Sequence, residues 1–345
     1  MRLLYVLPFP ELGGGNKVVF QHAELLSRLG WEVTVLAAGP RPSWFDLSVR
    51  YLDSTQPLPV LPAQDLVVAT YWTTLPVARK LALGPVAHFC QGYEGDLEHL
   101  FVHRAEIERM YSLPLPTLTV TPHLSRMLLE RFGRESRVVH PPLDERFSPR
   151  WRWSPRRRPW IAVPGVFEAE VKGIEVALRA VVELRRRGVA SRVLRFSTLP
   201  LSPSERALVD PEIYLTGERA EVIARALRRC DLMLFPSRAA EGFGLPLLEA
   251  MASGVPAASS RIPSTEYFAA AAVELVPTDD PLALADAAEA LLRDGERWRR
   301  HRRAGLRAAQ EFRAERVTPE LAEALLWASR WSATAGDLTM PEARP

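Results

Sequence analysis

The chain has 345 residues, 47% of them apolar and 25% charged, the proportions of a globular protein and not of a disordered or fibrous one. Lys and Arg total 44 against 41 Asp and Glu, and this net charge of +3 excludes the dense basic face of a nucleic-acid binder. Two cysteines, Cys90 and Cys230, lie far apart without metal-type spacing, which excludes a disulfide framework or a zinc site and fits a reducing cytoplasm.

At roughly 100–200 residues per domain, this length predicts two domains. The apolar start from Leu3 to Leu7 reads as a buried first strand, because a secretory signal needs a longer apolar core and a small-residue cleavage site. A glycine-rich turn, Gly13-Gly14-Gly15-Asn16, comes next. Apolar residues at helical spacing then predict a helix over Val18–Leu29, stopped by Gly30. Val33–Leu36, Leu66–Ala69, Pro85–Phe89 and Thr117–Val120 read as further strands. Ser125 is expected to cap a helix through Phe132, with Val138-Val139 returning to a strand. Strands alternating with helices imply a parallel sheet covered on both faces.

From Pro141 to Pro159 the chain is rich in Pro, Trp and Arg without a period, and reads as an interdomain linker. A second alternation succeeds it. Strands are expected at Trp160–Val163, Ser191–Phe196 and Leu232–Phe235, and helices at Ile174–Arg187, Ala220–Arg228, Leu247–Ala252 and Pro281–Arg293. The residues from Ser332 lack a pattern and are expected to be mobile. No internal repeat is legible. No uncharged apolar run reaches the roughly 20 residues of a membrane span.

The most informative stretch runs from Cys230 to Pro256. A strand ends at Pro236, a loop holds Gly242 and Gly244, and a helix starts near Pro246, a residue suited to the first helical position. That loop lies at the carboxyl end of a parallel strand, where open α/β sheets bind ligands. The amides of Gly242, Phe243, Gly244 and Leu245 precede or open the helix, and with its dipole they suit an anion such as a diphosphate. Glu249, one turn into the helix, would repel a phosphate but accepts hydrogen bonds from the vicinal hydroxyls of a ribose. Glu241 lies ahead of the glycines, on the side of a transferred group. For either glutamate alone, an acid complementing the helix dipole is an equally ordinary reading.

The run Phe235-Pro236-Ser237, Glu241-Gly242-Phe243-Gly244-Leu245-Pro246, Glu249-Ala250-Met251-Ala252 and Gly254-Val255-Pro256 resembles the Glu-x7-Glu motif of retaining glycosyltransferases of the GT-B architecture, family 4 type. The resemblance implies an α/β fold with two Rossmann-like domains facing each other across a cleft. It places an acceptor-side domain at 1–145, joined by a C-terminal helix about 316–331 that crosses back to it, and a donor domain at 146–315. Residues 332–345 are left as a tail. It implies donor binding through Glu249, Gly242, Phe243, Gly244 and Leu245, with Gly14 and Gly15 facing the donor phosphates. It implies catalytic roles for Glu241 near the donor sugar and for Lys172, which with Gly173 resembles a basic phosphate site. Gln91, Gly92 and Tyr93 would line the sugar or acceptor pocket. Phe167 stands where the family has a second cation, an arginine, and Gln91 where it often has a histidine.

The same resemblance implies transfer of a sugar from a UDP- or GDP-type donor to a glycan, lipid-linked or small-molecule acceptor, with retention of configuration. No cofactor or metal ion is expected, since no Asp-x-Asp motif occurs and Asp279-Asp280 reads as a helix entry. A cytoplasmic protein that contacts no nucleic acid is expected. The clusters Arg156–Arg158, Arg185–Arg187 and Arg297–Arg303 read either as solvated faces or as contacts to anionic lipid at the inner face of a membrane. His88 is expected to be a packed strand residue, and Trp327 and Trp331 to dock the last helix. A non-catalytic sugar-nucleotide binding protein, or an epimerase on the same fold, is the alternative. A nicotinamide site is disfavoured because Val18 stands where its fingerprint needs Gly or Ala, and Leu36–Gly39 lacks the ribose-binding acid.

Overall fold

The computed structural model describes residues 1–331, so the tail expected from Ser332 lies outside the described residues. The chain divides into two compact units. The first comprises residues 1–11, 15–140 and the chain from Thr318, and the second comprises 12–14 and 141–317.

The first unit holds seven strands: β1 (Arg2–Val6), β2 (Glu32–Ala37), β3 (Arg50–Asp53), β4 (Leu66–Ala69), β5 (Val86–Cys90), β6 (Thr117–Thr119) and β7 (Ser136–Val138). They form one sheet in the order β3-β2-β1-β4-β5-β6-β7, and the register between neighbours is parallel throughout, as with Leu3 opposite Val33 and Leu66. Helices α1 (Gly14–Arg28), α2 (Thr74–Leu81), α3 (Arg104–Tyr111) and α4 (Pro122–Phe132) flank it. Parallel strands are buried on both faces, so β1 and β4 read as continuous apolar runs. Leu75 and Ala78 of α2 close one core against Leu4, Val6, Val67 and Ala69. Each buried Leu or Val among them contributes about 1.5–3 kcal/mol relative to exposure.

The second unit holds β8 (Trp160–Pro164), β9 (Arg192–Ser197), β10 (Ile213–Thr216), β11 (Leu232–Phe235), β12 (Ala257–Ser260) and β13 (Glu274–Val276). Their order is β10-β9-β8-β11-β12-β13, again parallel. Its helices are α5 (Ile174–Arg186), α6 (Pro203–Leu208), α7 (Ala220–Leu227), α8 (Leu245–Ala252), α9 (Pro263–Ala269), α10 (Pro281–Arg293) and α11 (Gly295–Ala309). A last helix, α12 (Ala314–Arg330), ends the described chain. Apolar residues of α5 at helical spacing (Ile174, Ala177, Leu178, Val181, Leu184) pack with those of α10 against Ile161, Val163, Leu232 and Leu234. Both sheets reverse strand order between their first and fourth strands, the arrangement of doubly wound dinucleotide folds. The architecture is therefore repeated, although the sequence shows no repeat, because parallel sheets need only apolar runs and not particular residues.

Several local expectations are corrected. The glycine triplet is not a turn. Gly14 and Gly15 open α1, and neither has positive φ. Helix α4 begins at Pro122 after Thr121 rather than at a Ser125 cap, since proline at the first positions costs no hydrogen bond. Helix α8 starts at Leu245, placing Pro246 at its second position. The segment 141–159 belongs to the second unit and is bonded to it: Leu143 N donates to Phe312 O at 2.6 Å, and Arg156 pairs with Asp231 at 2.8 Å. Asp279-Asp280 is a helix entry as expected, with Asp280 Oδ1 accepting from Leu282 N and Ala283 N. Within the first unit α12 is docked by Leu321, Leu325 and Ala328. His140 bonds Glu320, and Trp327 lies under the Arg137 guanidinium.

Of the basic clusters, Arg187 pairs with Glu183, Asp286 and Glu289, and Arg297 with Glu274. Trp298 is wholly buried and donates Nε1–H to Asp231 O at 2.7 Å. Much of Arg185–Arg187 and Arg297–Arg303 thus serves internal packing. Among the described residues no helix is long and apolar enough to cross a membrane.

Candidate functional site

The carboxyl ends of β8 and β11, neighbours at the point where strand order reverses, carry two loops. The loop after β8 reaches Lys172 through a short turn, Glu170–Lys172, and Gly173 then begins α5 from the left-handed region at φ 58°. A Cβ on Gly173 would lie 2.3 Å from Pro236 O, so only glycine lets this loop press against the end of β11. Arg238 N donates to Val171 O at 2.8 Å, which ties the two loops a second time. The register so fixed sets Lys172 Nζ 2.7 Å from Glu241 Oε2, across 69 positions of sequence. Ser237 Oγ donates to the same oxygen at 3.0 Å, and Ser237 is 1% exposed.

The α8 end is built as rigidly. Gly244 sits at φ 102°, where a Cβ would meet the Phe235 ring at 3.1 Å. Phe243 stacks on Phe268 at 4.5 Å and meets Phe312 edge-on at 5.4 Å. Its ring is therefore packing, and only its backbone is placed to meet a ligand. Leu247 is the first amide to bond within the helix, to Gly244 O at 3.0 Å. The amides ahead of it belong to the N-terminal set that lacks intrahelical acceptors and carries the positive end of the dipole. Glu249 is buried one turn into α8. Phe167, at the position where the resemblance places an arginine, packs against the apolar core. Arg238 is tied to Asp279 at 3.0 Å and lies 3.8 Å from Glu170.

In the first unit, Gln91 follows β5 and donates Nε2–H to Gly15 O at 3.2 Å. A Cβ on Gly15 would meet that amide at 3.1 Å. Gly15 thus lies beside Gln91 in the first turn of α1 without a side chain in the way. Gly92 contributes its carbonyl to the Tyr111 hydroxyl at 3.1 Å. Tyr93 is a packing residue, 4% exposed, edge-on to Tyr111 at 4.9 Å and covered by Arg131. Its ring takes part in the aromatic packing under the 91–96 loop. His88 lies wholly buried in β5, and burial, with Arg134 beside it, holds its pKa well below the ordinary value, so the ring is neutral.

Sequence reasoning missed Glu94. Its carboxylate accepts from the Tyr111 hydroxyl, and burial pushes its pKa up to about 7. Nothing in the spacing of residues signals this, because the effect comes from enclosure by α3 and Trp72. A carboxyl whose folded pKa exceeds its unfolded one favours folding below the unfolded value, and that contribution is lost as pH rises through about 7. Glu94→Gln is therefore expected to flatten the fall in stability between pH 5 and pH 8, by on the order of 2–4 kcal/mol. Urea midpoints of both proteins at the two pH values would check this. An unchanged pH dependence would count against a titrating Glu94.

Residues 158–294 match the family model described as glycosyl transferases group 1. The O-antigen biosynthesis protein RfbC of Myxococcus xanthus is 30% identical over 228 residues, 64% of this chain and 17% of that protein. The phosphatidyl-myo-inositol mannosyltransferase of Mycobacterium leprae is 36% identical over 91 residues, 26% of this chain and 24% of that protein. The chain thus spans less than a quarter of the length of these curated relatives. Among solved structures, sucrose-phosphate synthase from Thermosynechococcus elongatus superposes with a TM-score of 0.75 at 17% identity, covering 94% of this chain and 98% of that one. Anabaena HepE in complex with UDP-glucose gives 0.75 at 16% identity, covering 94% and 99%.

Two parallel doubly wound sheets and these neighbours define the GT-B fold. Over residues 158–294 the chain is similar to the glycosyl transferases group 1 family.

Proposed function

We propose that the protein is a glycosyltransferase that moves a sugar from a nucleotide-diphosphate donor to an acceptor hydroxyl, with retention of configuration and without a metal ion. The observation that carries this reading is the Lys172–Glu241 pair, set beside the dipole-bearing amino end of α8. In this reading the α8 amides and Lys172 hold the diphosphate, and Glu249 accepts the ribose hydroxyls. Glu241, kept in place by Ser237, faces the sugar. As the glycosidic bond breaks, negative charge gathers on the departing phosphate, where Lys172 and the helix end stabilise it. That phosphate then takes the proton of the attacking hydroxyl. Gln91 and Gly15 belong to the acceptor or sugar side, where a glutamine offers hydrogen bonds but no proton uptake. HepE, solved with UDP-glucose, supports a UDP-sugar donor in this reading, and the phosphatidyl-myo-inositol mannosyltransferase of M. leprae supports a lipid-linked acceptor.

Incubation with UDP-, GDP- and ADP-sugars, with and without acceptors, tests the reading directly. Product formed with the opposite anomeric configuration to the donor would overturn retention. Because a fixed cation and helix amides already face the diphosphate, excess chelator is expected to leave turnover unchanged. Complete loss restored by manganese or magnesium would contradict that. Glu249→Ala is expected to weaken binding of the bare nucleoside diphosphate by roughly 1.5–3 kcal/mol, the range for hydrogen bonds to a charged group. Equal affinity in a titration of wild type and variant would remove the ribose assignment. A second reading, a sugar-nucleotide binding protein without turnover, is favoured by Phe167 and by the engagement of Arg238 with Asp279. It predicts donor binding with no transfer to any acceptor.

A further inference from the structure

Residues 148–158 contain two tryptophans and five arginines and no Asp, Glu, Asn or Gln. The segment lies across the amino ends of β8 and β11 and is fixed there through its backbone and two inward arginines. Arg152 Nη1 donates to Cys230 O at 2.9 Å, and Arg152 and Arg156 both pair with the buried Asp231. Arg299 and Arg302 of α11 donate to the carbonyls of Trp153 and Arg150. This anchoring turns the remaining side chains outward. Trp151 is 78% exposed and Trp153 63%, with Arg150, Arg157 and Arg158 exposed around them.

Indoles left in water at a rigid surface mark a face that meets another phase or partner. The polar groups of this segment's side chains are almost wholly donors, so the matching surface is rich in anionic oxygen. Sugar hydroxyls and base edges need acceptors as well. The two rings meet edge to face, at 4.9 Å and 88°, and offer no shared flat platform on which a sugar or successive bases would stack. Tryptophan flanked by arginine suits the headgroup layer of a bilayer, where the indole is half apolar and the guanidinium meets lipid phosphate. Exposed acids include Asp294 and Glu296 at the start of α11 and Glu145 ahead of the segment, and Asp294 accepts from the amides of Glu296 and Arg297.

We propose that this face of the second unit docks on an anionic lipid bilayer, with Trp151 and Trp153 at headgroup depth and Arg150, Arg157 and Arg158 on lipid phosphates. The loops bearing Lys172 and Glu241 lie at the other ends of the same strands, a five-residue strand β8 away, about 17 Å. Docking would therefore leave them open to solvent. The inference stands apart from the proposed activity, since vesicle binding requires no donor.

The test is co-sedimentation of the full chain with vesicles of phosphatidylcholine alone and with 30% phosphatidylglycerol, alongside the variants Trp151→Ser/Trp153→Ser and Arg157→Glu/Arg158→Glu. Expected are binding to the anionic vesicles, weakening with salt, a blue shift of tryptophan emission, and a loss of roughly tenfold or more in partitioning for each double variant. Each variant changes only exposed side chains, and an unchanged melting temperature and donor affinity would show it folded. No binding to anionic vesicles would overturn the proposal, as would equal binding by wild type and both variants. Retention of the full patch effect on heparin or a single-stranded oligonucleotide, with none on vesicles, would reassign the face to a soluble polyanion.

Discussion

Lys172→Ala is expected to lower turnover on a nucleotide-diphosphate sugar by on the order of 100-fold or more, the scale of losing one donor aimed at developing charge. Two effects combine at this position. In the proposed reaction the departing phosphate would lose the cation that the loop after β8 presents, leaving mainly the helix end, worth about half a charge. Glu241 loses the partner that lies 2.7 Å away, so its carboxylate beside the sugar is left without a counter-charge. The pair is partly open to water, with the Lys172 side chain 31% exposed and that of Glu241 10%, so the loss should appear in catalysis far more than in stability. Arg238→Ala is the control. That guanidinium is tied to Asp279, and its removal should cost much less than removal of Lys172. Steady-state kcat and KM for both variants on one donor separate the possibilities. A near-silent Lys172→Ala would discard the phosphate role and favour the reading as a binding protein.

The largest effect on stability is expected at Asp231→Asn, a loss of about 3 kcal/mol, at the lower end for removing one partner of a buried ion pair. Asp231 is wholly buried just ahead of β11. One carboxylate oxygen accepts from Arg152 and from Arg156 N at 3.2 Å, and the other from Arg156 Nη1 and Trp160 N, each at 2.8 Å. An asparagine keeps one acceptor and turns its NH2 toward groups that are themselves donors. Arg156 can relax into solvent, but the Arg152 side chain is only 13% exposed and would remain enclosed without a counter-charge. A lower urea midpoint at unchanged slope is the expected observation. A shift of less than 1 kcal/mol would mean that backbone carbonyls alone satisfy Arg152.

The same residues show where sequence stops being informative. Elements with long apolar runs or clear periodicity were legible, and β4, β11 and α10 fall at the expected residues. Strand β12, Ala-Ala-Ser-Ser, was not. It has no branched or aromatic residue, and it is a strand only because β11 and β13 pair with it on both sides. Edge strand β3 was missed for a related reason, since its half-exposed residues carry no apolar run. Helix α11 looks like a charged surface helix, yet Trp298 at its start is completely buried against the Asp231 carbonyl. Composition counts arginines but does not say which of them face inward.

By itself the sequence determined the doubly wound class of both units and the loop–helix bearing Gly242–Leu245 and Glu249. Alternating apolar strands and helices, a glycine before a helix start and an acid one turn later are all local signals. Tertiary structure alone decided that Lys172 meets Glu241, that Gln91 meets Gly15, that Tyr93 packs inward and that Glu94 is enclosed. These are contacts or burials created when strands distant in sequence come into register. The free energy of a buried or paired charge depends on its whole surroundings, and no neighbouring residue in the chain encodes it.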